Sequence, residues 1–140
     1  MKLVIRVLAG LATIALAVSA GHAQTLTGAE AQKSPQAEAF LAYEKEMIAG
    51  GLDAASPHMT PAKLEQMKGD VKQYGEESFK EFLEQMRRGA QGEVRRKLIS
   101  KVDVKGDQAV LEVRDRPSDA AVSVVALAKT KDGWKVDIRR

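Results

Sequence analysis

The stretch AVSVVALAKTKDGWKVDI, residues 121–138, decides the fold class. Asp132-Gly133 sits between two runs of alternating residues, and an Asp-Gly step suits the positive-φ geometry of a tight hairpin. In the second run Trp134, Val136 and Ile138 point one way while Lys135, Asp137 and Arg139 point the other, so one face is buried and one solvated. The first run is apolar on both parities, with Val122, Val124 and Ala126 opposed to Ser123, Val125 and Leu127. Both faces of that strand are expected to be covered.

The same two-residue period extends upstream. Val94, Leu98, Val102 and Val104 share one parity, and Arg95, Lys97, Lys101 and Asp103 take the other. Lys105-Gly106-Asp107 turns that segment into Ala109 to Arg114, and Pro117-Ser118-Asp119 leads on to Ala121. Four antiparallel strands in a meander follow, with Lys97, Lys101, Glu112, Arg114 and Lys135 on a charged outer face.

Before Val94 the period is helical. Ser34-Pro35 pairs a capping hydroxyl with proline at the first helical position. Phe40, Leu41, Tyr43, Glu44, Met47 and Ile48 then fall at three- and four-residue spacings, as a core-facing stripe requires, until Gly50-Gly51 ends the helix. Leu52 to Met59 holds a short helical turn. Thr60-Pro61 repeats the opening signature for a helix through Leu64, Met67, Val71 and Tyr74, and Gly75 breaks it. A third helix runs from Glu76 to Arg88, its acids early and bases late as the helix dipole favours, with Glu76 to Lys80 and Glu84 to Arg88 as pairs four apart. Helices first and strands after give an α+β domain over residues 35–140, three helices covering one face of a curved sheet.

Residues 1–23 read as a secretory signal: Lys2 and Arg6, an apolar run from Val7 to Val18, then small residues that place cleavage after Ala20 or Ala23. The run is shorter than the roughly 20 apolar residues that cross a bilayer, so no membrane anchor is expected after cleavage. Residues 24–34 carry one leucine and are expected to trail as a disordered tether. Cleavage after Ala23 leaves 117 residues with 20 basic against 19 acidic side chains, a net charge of +1. That balance gives no electrostatic reason to expect nucleic acid. The absence of cysteine from all 140 residues excludes thiol catalysis, thiolate ligation and disulfides.

Catalytic vocabulary is sparse. His58 is the one histidine left after cleavage and stands in a loop, and no metal site or cofactor is expected around it. Carboxylates are read as dispersed over solvent-facing positions. Arg87, Arg88, Arg95, Arg96 and Lys97 form a basic edge around Gly89 to Gly92, a candidate partner-binding surface. The aromatic residues fall on inner-face positions. A helix-on-sheet cone left unfilled at its wide end would offer a ligand pocket lined by Phe40, Tyr43, Met47, Tyr74 and Trp134.

Ser34-Pro35 with Ala39-Phe40-Leu41 and Met47, the glycine pair, and the closing Lys131-Asp132-Gly133-Trp134-Lys135-Val136-Asp137 strand together resemble the nuclear transport factor 2-like superfamily, in its small exported bacterial members, across Pro35 to Ile138. The resemblance implies a strongly bent sheet around helices, a conical cavity and a homodimer through the outer sheet face. The aspartate, tyrosine and protonated-acid set of its ketosteroid isomerase relatives maps onto no residues here. Three functions stay open: a non-enzymatic envelope protein that binds a small apolar ligand or an envelope protein; a cofactor-independent isomerase or lyase with Tyr43 or Tyr74 as proton donor; and an accessory subunit of an envelope or secretion assembly. The missing catalytic set favours the first.

Overall fold

A computed structural model describes residues 23–91, 97–115 and 121–139. The signal sequence up to His22 therefore lies outside the described residues, as do Val94, the Pro117-Ser118-Asp119 turn, and Arg95 and Arg96 of the basic edge. The chain runs β1 (Ala23–Thr27), α1 (Gly28–Gln32), α2 (Pro35–Ala55), a 3-10 turn (Ser56–His58), α3 (Pro61–Tyr74), α4 (Glu76–Gln91), then β2 (Leu98–Lys105), β3 (Gln108–Arg114), β4 (Ser123–Thr130) and β5 (Gly133–Asp137). The strands form one antiparallel sheet in the order β1-β2-β3-β4-β5, with the helices packed on one face. The α+β reading from sequence holds. The Asp132-Gly133 hairpin forms as read, Gly133 taking φ 109° where a side chain would be strained.

The sheet has a fifth strand. Residues 24–34, expected as a tether, form β1 and α1 instead: β1 pairs along β2 from Ala23 opposite Lys105 to Thr27 opposite Lys101. Apolar content alone is a poor guide here, because an edge strand needs only one good face and a ready template. Leu26 packs on the core, Thr25 Oγ1 donates to Asp103 Oδ1 at 2.7 Å, and Ala31 of α1 is fully buried. Gln32 Oε1 then accepts the backbone N–H of Ile99 at 2.8 Å, tying α1 to the sheet.

A bulge corrects the parity read for β2. Ile99 lies opposite Val113 but Lys101 lies opposite Glu112, so Ser100 is the extra residue. The shift turns Ile99 into the core in place of Leu98, while Val102 keeps its inward position. Alternation counted straight through a bulge always fails by one residue beyond it.

The core lies between α1, the first half of α2 and the sheet: Ala31, Ala37 and Phe40 meet Ile99, Val102, Leu111, Leu127 and Val136. A second cluster of Met47, Ala55 and Met59 collects Leu64, Met67, Phe79 and Leu83 from α3 and α4, and Tyr43 packs against both clusters. Ser34 caps α2, its Oγ accepting from Ala37 N at 3.1 Å. Gly51 interrupts α2 with φ 73° and ψ −156°. A Cβ there would meet Leu83 Cδ1 at 3.5 Å, an ordinary contact, so the backbone conformation and not crowding demands glycine. The outer face of β4 is not covered as expected: Val124, and Val110 beside it on β3, are exposed on the parity opposite buried Leu127 and Leu111.

Thr60 fastens the helices to the last strand. Its Oγ1 accepts from Lys63 N at 3.2 Å, capping α3, and donates to Asp137 Oδ1 at 2.6 Å, while its backbone N–H donates to Val136 O. Thr60→Val keeps the shape and the backbone bond but loses both side-chain bonds. Urea unfolding should show a loss of about 1–2 kcal/mol. A change below about 0.5 kcal/mol, the size of an ordinary surface substitution, would show that this fastening carries no weight.

Candidate functional site

One polar pocket opens where α2, α4 and the β2–β3 end of the sheet converge. It measures about 390 Å³, within the lower range of small-molecule sites. Register builds its polar side: Leu98 pairs with Arg114, so Lys97, just before β2, and Asp115, just after β3, stand at the same end of the ladder. Glu44 arrives from α2, one turn beyond Phe40. Ile48, also of α2, and Phe82, Gln85 and Met86 of α4 complete the wall. Arg87 clamps the two helices at this rim, donating from Nη2 to Ile48 O at 3.2 Å and from Nη1 to Glu84 Oε2 at 2.8 Å.

The charges in this pocket are unequal in number. Lys97 Nζ donates to Glu44 Oε1 in a short contact, lies 4.0 Å from Asp115 Oδ1, and stands 5.9 Å from the centroid of the Phe40 ring. The Glu44 side chain is only 12% exposed. Burial pushes the Glu44 carboxyl above its ordinary value and the Asp115 charge adds to this, while the hydrogen bond and charge of Lys97 oppose it. The Tyr43 hydroxyl is likewise raised, by burial first and by the Glu44 charge second. An ammonium has three donors and a carboxylate two accepting oxygens, so the pair retains capacity after bonding each other. Side by side they match a ligand edge that carries N–H next to C=O.

A second hollow of about 260 Å³ lies between α3 and α4, lined by Met67, Val71, Tyr74, Phe79 and Phe82 with Asp70 and Ser78 as its polar members. Phe82 lines both hollows. A family model described as "Putative lumazine-binding" matches residues 55–137, more than half of the chain. The chain belongs to this family. No curated protein and no solved structure matches it. The lumazine-binding family has the nuclear transport factor 2-like fold, which the α+β arrangement described above shares.

In this lumazine-binding-family domain the five residues expected to line one pocket do not converge. Phe40 and Met47 are buried in separate core clusters, Tyr43 packs between them, and Trp134 lies half-buried on β5 against the sheet core. None of these four lines the polar pocket or the α3–α4 hollow. Tyr74, placed on an inner face from its spacing, is 69% exposed at the end of α3, because α3 packs mainly through Leu64 and Met67 and its last turn overhangs. Phe82 is also outward, 51% exposed. The aromatic residues of α2 therefore pack in the core, whereas Tyr74 of α3 and Phe82 of α4 reach the surface.

The basic edge divides as well. Arg87 and Arg88 are engaged by Glu84 at 2.8 and 3.4 Å, and Lys97 turns inward to Glu44 instead of joining them. Lys80 bonds Glu77 at 3.0 Å rather than Glu76. Glu44 overturns the reading that every carboxylate faces solvent. Its signal was in the sequence: four residues after Phe40, three before Met47 and four before Ile48, it stands on the apolar stripe. Asp115 had no such signal, since only the strand register brings it to Lys97. Among the described residues no group of acidic or histidine side chains is arranged to hold a metal, and no helix is long and apolar enough to cross a membrane.

Proposed function

We propose that this domain binds a small planar heterocycle of the lumazine type, without turning it over, in the pocket formed by Glu44, Lys97 and Asp115. The observation that carries the reading is the half-buried Glu44–Lys97 pair on the wall of a 390 Å³ pocket, in a chain whose family is described by lumazine binding. A pteridine-dione ring presents adjacent N–H and C=O groups; Glu44 and Asp115 accept from the first and Lys97 donates to the second. Phe82 supplies an aromatic face for the ring. Isothermal titration with lumazine is expected to give a micromolar dissociation constant, weakened about 10-fold by Asp115→Ala, as loss of one hydrogen bond to a charged group implies. No heat of binding up to millimolar lumazine would sink this reading.

The same proposal places the domain outside the cytoplasm, with residues 1–20 or 1–23 removed on export. Support comes from the leader read in the sequence, a basic start, an apolar run and small residues at its end. Either cut leaves Gln24 to Thr27 for pairing with β2.

A further inference from the structure

The ligand just proposed fills only one of two hollows that meet at Phe82, and the two differ in chemistry. On the polar side Glu44, Gln85, Lys97 and Asp115 offer hydrogen bonds; beyond Phe82 the lining is Met67, Val71, Tyr74 and Phe79. Phe79 and Phe82 stack with centroids 6.3 Å apart, so an unbroken aromatic surface runs from one hollow into the next. Phe82 and Tyr74 are more than half exposed along this path, where solvated helix positions ordinarily carry polar side chains. A contiguous apolar surface of this kind marks a place where something docks.

We infer that the ligand is amphiphilic, with a polar heterocyclic head at Glu44, Lys97 and Asp115 and an apolar tail that crosses Phe82 into the groove between α3 and α4. The inference rests on the head-binding reading above. Continuity through Phe82 says what covers the groove: a molecule whose polar end is already held beside it. The size agrees. One turn of helix with side chains is a cylinder of roughly 400 Å³, from a diameter of about 10 Å and a pitch of 5.4 Å, whereas the groove offers about 260 Å³. An alkyl chain or a single ring fits within it, whereas a docked helix would have to lie largely outside it. Methylene burial then adds affinity with each carbon of the tail.

The test compares two probes on the leader-free chain by isothermal titration: lumazine, and the same ring carrying an n-octyl chain. The octyl compound should bind roughly 10- to 100-fold more tightly than lumazine, a fraction of what full burial of the chain would provide. Tyr74→Asp, at an exposed position that leaves the core untouched, should cut this gain to less than about 3-fold with lumazine affinity unchanged; Val71→Thr, which keeps the shape but puts a hydroxyl on the groove wall, should reduce it in part. Thermal melts confirm that both variants fold. Lumazine binding with no octyl gain, or a gain that survives Tyr74→Asp, overturns the tail and leaves the head reading intact. Octyl binding without lumazine binding, or no binding of either, overturns the head reading and the two-part ligand with it.

Discussion

Phe40→Ala is expected to lower stability by about 3–5 kcal/mol and to abolish lumazine binding at concentrations where the parent chain saturates. Phe40 is buried at the centre of the sheet-facing cluster, stacks on Tyr43 with ring centroids 6.3 Å apart, and lies beneath Lys97 Nζ. Removing the ring takes away the transfer energy of a large side chain and leaves a cavity that α2 cannot close without leaving the sheet. It also removes the surface that holds Lys97 beside Glu44. Leu111→Ala supplies the comparison, since Leu111 is fully buried at the middle of β3 and lines neither hollow. It should cost about 2–5 kcal/mol with lumazine affinity nearly intact in the folded fraction. Guanidinium midpoints and titrations on both variants separate the outcomes: equal loss of binding in the two would mean that Phe40 acts through the fold alone.

The layout of helices and strands was legible because each element declares itself locally. Ser34-Pro35, Thr60-Pro61 and Asp132-Gly133 are caps and turns whose chemistry depends on neighbours in sequence, and all three stand where they were read. Strand β1 was not legible for the opposite reason. Gln24 to Thr27 has too little apolar surface to order alone, and its partners, Lys101 to Val104, come more than seventy residues later. The bulge at Ser100 was hidden in the same way, since it is a relation between two strands. What was missed in the site follows this division. Glu44 could be read from the stripe it interrupts; Asp115 and the inward turn of Lys97 could not, because both depend on the pairing of Leu98 with Arg114.

A carboxylate and an ammonium bonded to each other, as Glu44 and Lys97 are, hold one another in a fixed orientation. They are good partners for recognition, where a fixed donor beside a fixed acceptor selects a ligand edge without being consumed. Arg87, bonded to Ile48 O and Glu84, holds α4 against α2 and so keeps Phe82 and Gln85 at the right distance from that pair.

Lys97→Met tests the pair through pH. The folded Glu44 carboxyl is raised by burial, so the parent chain loses stability from this group as pH climbs from the ordinary carboxylate range through the raised value. Lys97 moderates that loss, because its hydrogen bond and charge pull the carboxyl back down. With methionine the stem is kept and the charge is gone, leaving burial and the Asp115 charge unopposed; the Glu44 carboxyl rises further and the window of lost stability extends to higher pH. The sign is then fixed. Near pH 3, below the ordinary carboxylate value of about 4.3, Glu44 is protonated whether folded or unfolded, and parent and variant should differ little. Toward neutral pH the variant should become less stable by about 1–3 kcal/mol, below the 3–5 kcal/mol of a fully buried broken pair because the Lys97 side chain is 31% exposed. Glu44→Gln in the Lys97→Met background removes the ionisation itself and should flatten the pH dependence while restoring most of the stability. Urea unfolding across this range decides the matter: a Lys97→Met deficit that is constant with pH, or one that survives Glu44→Gln, would mean that Glu44 is not held ionised by Lys97.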